Sequence, residues 1–89
     1  QRIAYNRASE LYEENRFSDA LAIFIKSQKY PIEKKLALKA KYWQADCQYQ
    51  MHKYYDAIIL WKELASDYQI QKINESQHLD YNIAFSYLM

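Results

Sequence analysis

Set against itself with an offset of 37 residues, the chain meets its own pattern. Tyr5 falls on Tyr42, Ala8 on Ala45, Tyr12 on Tyr49, Phe17 on Tyr54, Asp19 on Asp56, Ala20 on Ala57, Ile23 on Leu60 and Phe24 on Trp61. Arg16 meets Lys53 as well. A further offset of 39 sets Tyr81 on Tyr42 and Ala84 on Ala45. Self-similarity at such a period marks stacked copies of one supersecondary unit, each unable to bury its apolar face alone. The 89 residues therefore divide into a first unit at 1–33, a second at 34–72 and the opening of a third at 73–89.

The unit is helical. Ala4, Ala8, Leu11 and Tyr12 recur at helical spacing, as do Ala20, Leu21, Ile23 and Phe24. The second unit repeats this with Leu38, Trp43, Ala45 and Tyr49, then Ala57, Ile58, Trp61 and Leu64. The spacing predicts helices over 2–14, 18–29, 34–51, 55–67 and 76–89. Glycine is absent and proline occurs once, which removes the residues that hairpin turns and phosphate-cradling loops need. Helix ends without glycine require another residue in the left-handed region. Asn15 and His52 stand at the two breaks and belong to the types enriched there. Pro31 cannot continue a helix and marks the boundary between the first two units.

Charge excludes little. The net value is +1, so no global field draws the chain to nucleic acid or a membrane surface. Lys26, Lys29, Lys34, Lys35, Lys39 and Lys41 nevertheless concentrate basic charge before the midpoint, and acids dominate after it. This basic stretch reads either as a solvated face or as a surface for an anion. No run approaches the length of a membrane-spanning helix. Cys47 stands alone and forms no internal disulfide. Cys47, His52 and His78 do not have the spacing of a metal site, and no cofactor is expected. Glu13, Glu14 and Asp46 lack a second group fixed against them, so no catalysis is expected.

The residues Ala8, Phe17, Ala20, Phe24 and, one unit on, Ala45, Tyr54, Ala57, Trp61 resemble the signature of the tetratricopeptide repeat (TPR) family. The chain departs from it in its longer period, in the replaced turn glycine, and at Arg7 and Gln44, where the family has Leu. Tyr30-Pro31 followed by Lys41-Tyr42-Trp43-Gln44-Ala45-Asp46 is similar to long-period TPR proteins of the bacterial cell envelope, such as those associated with the Tol–Pal system and with outer-membrane protein assembly. The resemblance implies an all-α solenoid of antiparallel helix hairpins, with about five helices here, and a periplasmic or envelope location, a cytoplasmic one remaining open. It implies that Ala8, Ala20, Ala45, Ala57 and Ala84 lie in tight helix seams, and that Phe17, Phe24, Tyr54 and Trp61 fill the gaps between hairpins.

It further implies a protein–protein interaction scaffold whose concave face is lined by the first helix of each unit. The stripe beside the alanine seam then carries Tyr5, Asn6, Tyr12, Tyr42, Trp43, Asp46, Tyr49, Tyr81 and Asn82 as candidate partner-binding residues. Arg2, Ser9, Glu13, Lys39, Gln50, His78 and Phe85 flank them. Aromatic faces with polar edges suit a peptide or protein partner. The same tyrosines could instead pack helix on helix. The carboxylate clamp of some TPR domains is disfavoured, because tyrosine stands where its first lysine would be in all three units. Neither nucleic acid nor direct membrane insertion is expected; the alternative function is self-assembly into a homo-oligomer.

Overall fold

The computed structural model describes residues 2–29, 33–67 and 73–88, with the side chains of residues 74 and 80 excepted. Pro31 and residues 68–72, between the fourth and fifth helices expected from the sequence, lie outside these residues. Among the described residues the chain is all-α. Five helices follow in order: α1 (Arg2–Glu13), α2 (Phe17–Ser27), α3 (Lys34–Gln50), α4 (Tyr54–Ala65) and α5 (Leu79–Leu88). A short 3-10 helix at Asn74–His78 leads into α5, so the last helix opens later than its spacing suggests. Each helix packs chiefly on the next in the chain, and α1 also touches α3. The result is a slab of 34 × 30 × 18 Å.

The two breaks share one geometry. Asn15 has φ 62° and His52 has φ 64°, the left-handed conformation expected of them. After α1, the Asn15 N–H donates to Tyr12 O at 3.0 Å and the Arg16 N–H to Leu11 O at 2.9 Å. After α3, His52 N–H donates to Tyr49 O at 3.0 Å and Lys53 N–H to Gln48 O at 2.8 Å. This is the Schellman motif, which satisfies carbonyls that a helix end leaves open. In both turns a positively charged residue follows the left-handed one, and its backbone opens the next helix by accepting from Ala20 and Ala57. His52 Nδ1 also lies 2.6 Å from the Tyr54 hydroxyl.

Two apolar clusters form the core. One gathers Ala8, Leu11, Ala20, Phe24, Ala40 and Cys47. The other gathers Leu38, Tyr42, Ala45, Ala57, Trp61, Leu64, Ile73 and Leu79. Trp43 packs against both and joins them. Ala8, Ala20, Ala45 and Ala57 have no accessible surface, which lets the helix backbones approach closely. Ala84 departs from that seam: it is exposed, because among the described residues no helix covers that side of α5. Tyr81, Phe85 and Leu88 share the exposure.

The uneven charge of the two halves is partly reconciled by packing. Lys34 pairs with Asp67 at 3.3 Å and Lys41 with Glu63 at 2.8 Å, across the α3–α4 hairpin. Arg2 pairs with Glu33 at 2.7 Å. Such partly exposed pairs contribute ~0–1 kcal/mol each, so they orient helices more than they stabilise them. Two lysines of the basic stretch are thereby occupied on α3.

Candidate functional site

Side chains link α1 to α3 through Tyr12 and Asp46, and α5 to α3 through Asn82 and Tyr42, and two depressions lie beside these links. The first, of about 250 Å³, is lined by Tyr5, Ser9, Tyr12, Glu13, Phe24, Trp43 and Glu75. The second, of about 170 Å³, is lined by Asp46, Tyr49, Gln50, Trp61, Tyr81, Asn82 and Phe85. Tyr12 borders one and Asp46 the other, and the Tyr12 hydroxyl donates to Asp46 Oδ1 at 2.5 Å. That hydrogen bond is the ridge between them.

Aromatic rings build the walls. Trp43 stands edge-on to Tyr12 at 5.2 Å and to Tyr42 at 5.1 Å. Tyr5 meets Phe24 edge-on at 5.7 Å, and Tyr49 meets Trp61 at 5.9 Å. The first three of these pairs are edge-to-face and set a positive ring edge against a negative face; the Tyr49–Trp61 pair is tilted at 46°. Polar bonds then fix the array between units. The Trp43 indole N–H donates to Glu75 Oε2 at 2.9 Å, and Asn82 Nδ2 donates to the Tyr42 hydroxyl at 2.7 Å. Two polar atoms of the lining residues are shielded from water and have no partner: Glu75 Oε1 and Trp61 Nε1.

The nine residues read from the sequence separate into three groups. Tyr5, Tyr12, Trp43, Asp46, Tyr49 and Asn82 are half-buried and line a depression, and Tyr81 lines one from an exposed position at 68%. Tyr42 is core, 4% exposed, packed on Trp43 and Trp61. Its ring serves packing, the other of the two roles open to the ladder. Asn6 is exposed and lines neither depression. Glu75 was not singled out by its spacing. Yet in the alignment that sets Ala84 on Ala45 it falls on Leu36, a buried apolar position. An acid replacing a core leucine is the signal that marks it.

Burial dominates the electrostatics. It raises the Asp46 carboxyl above its ordinary value, outweighing the hydrogen bonds from Tyr12 and Gln50 that act the other way. It also raises the Tyr12 phenol, helped by the hydrogen bond to Asp46 and that group's charge. The Cys47 thiol, fully buried, is pushed up to about 12 by burial and then by Asp46. Such a thiol is no nucleophile at neutral pH. Among the described residues, no three metal-ligating side chains converge and no helix is long and apolar enough to cross a membrane.

Asp46 carries a testable linkage. Its folded pKa exceeds the unfolded one, so the folded chain binds more protons across the interval above ~3.9. The carboxyl therefore costs stability that grows as pH rises through that interval. Asp46→Asn keeps an acceptor for Tyr12 and lacks the titration. Urea unfolding from mildly acidic to neutral pH should show the wild type losing stability relative to this variant as pH rises. A flat or opposite difference would refute the sign.

Compared with known proteins, the chain matches no family model, no curated protein and no solved structure.

Proposed function

We propose that the chain is a TPR-type array of helix hairpins whose α1–α3–α5 face binds a segment of a partner protein. The supporting observation is the pair of adjoining depressions, walled by rings and containing polar atoms that nothing in the chain satisfies. A buried polar group without a partner costs about 1–3 kcal/mol. Here the cost falls on Glu75 Oε1 and Trp61 Nε1, one acceptor and one donor, in adjoining depressions. A polypeptide carries donors and acceptors along its length, together with side chains that fit between rings. Asp46 adds to this, because its carboxylate is held against its own desolvation. The repeated alanines, the paired Schellman turns and the neighbour-to-neighbour packing support the array.

Selection from a random-peptide display library against the immobilised chain tests the reading. Convergent peptides should emerge. The exposed-site double variant Tyr81→Ser/Phe85→Ser should bind them about fivefold or more weakly, while keeping the helical circular dichroism. An empty selection, or binding untouched by that variant, would refute it.

A further inference from the structure

The first depression has a chemistry of its own. Its walls include the rings of Tyr5, Tyr12 and Trp43, and its charged groups are the carboxylates of Glu13 and Glu75. No lysine or arginine lines it or the neighbouring depression. Arg2 on α1 and Lys39 on α3 line a separate hollow with Glu33, and Arg2 is paired there. Glu75 uses one oxygen to hold the Trp43 indole, and the other has no partner. An ionised carboxylate offers about four acceptor sites. The torsion that turns its two oxygens is soft, so either can face a ligand while the other keeps the indole.

Resting on the interaction reading above, we infer that this depression receives a cationic side chain, lysine or arginine, of the bound protein segment. Ring faces attract a cation by their quadrupole, most strongly where water is displaced. A carboxylate beside them supplies a charge-assisted hydrogen bond. An acidic side chain would meet Glu13 and Glu75 with like charge. An apolar one would leave Glu75 Oε1 with its lone pairs still empty. The Tyr5 phenol, raised by burial and next by the charge of Glu75, registers the same negative potential. A free amine would satisfy the charge alone. Only a chain continues past the Tyr12–Asp46 bond to Gln50, Asn82 and the exposed Tyr81.

The same display selection, run in parallel on the wild type and on Glu75→Gln, tests this. Glutamine preserves an oxygen for the Trp43 indole and removes the charge. Wild-type peptides should carry lysine and arginine about twofold or more above their library frequency, and bind Glu75→Gln about tenfold more weakly. A second measurement needs no variant. The Trp43 indole N–H resonance should shift on adding a selected peptide, and a copy with its lysine and arginine replaced by glutamine should not shift it. Convergent peptides without a basic excess would overturn the cation site and leave the interaction reading standing. An empty selection would overturn both. A basic excess with equal binding to Glu75→Gln, or with an unmoved Trp43 resonance, would place the charge recognition elsewhere and overturn this assignment.

Discussion

Trp61→Ala should unfold much of the chain at physiological temperature. The ring is 1% exposed and packs on Tyr42 at 6.0 Å and Tyr49 at 5.9 Å, within the cluster that also contains Leu38, Leu64, Ile73 and Leu79. It thus touches α3 on one side and shares a core with the start of α5 on the other. Truncating a buried aromatic costs about 3–5 kcal/mol, against a total of about 5–10 kcal/mol for a domain of this size. Lys62 is the control. It is exposed, and its ammonium lies 5.0 Å from the Tyr87 ring centre, a contact contributing ~0.5–1 kcal/mol. Thermal and urea unfolding of Trp61→Ala and Lys62→Ala measure the contrast. Similar, small losses in both would refute the burial of Trp61 and the repeat register built on it.

Phe24→Ala should have an effect of the same size, about 3–5 kcal/mol, but with a different distribution. Phe24 is 1% exposed in the cluster of α1, α2 and the middle of α3, and Tyr5 stands edge-on to it. Helices that pack on their neighbours can open in part, with free energies below the global value. Amide exchange in Phe24→Ala should accelerate first in α1 and α2, while α4 keeps its protection through the second cluster. Uniform acceleration from α1 to α5 would mean that the two clusters open as one, with Trp43 coupling them fully.

The core was legible because it repeats. Ala8 and Ala45, Ala20 and Ala57, Phe24 and Trp61 fall on one another in the sequence and are all at most 1% exposed. The turns were legible from composition: with no glycine available, Asn15 and His52 were the residues able to take a positive φ, and both do. The site was legible only in outline. Tyr5, Tyr42 and Tyr81 share one repeat position but are half-buried, buried and exposed. Position within a unit sets the direction of a side chain; what covers it depends on the helices packed beside it, in its own unit and in the next. Tyr42 is covered by Trp61 and Asn82, and Tyr81 has no such cover among the described residues. Glu75 lay furthest from view. Its role depends on meeting Trp43, 32 residues earlier, from the 3-10 turn that leads into α5.

Packing of each helix on its sequence neighbour also has a consequence in time. Every junction closes a short loop, so little chain entropy is lost before packing rewards it. Chains dominated by local contacts reach their structure in microseconds to milliseconds, far faster than those that must first join distant strands. The first cluster draws on nothing beyond Cys47 among its buried residues. Its parts are therefore complete once Cys47 has left the ribosome, and α4 and α5 then add to a surface that already exists.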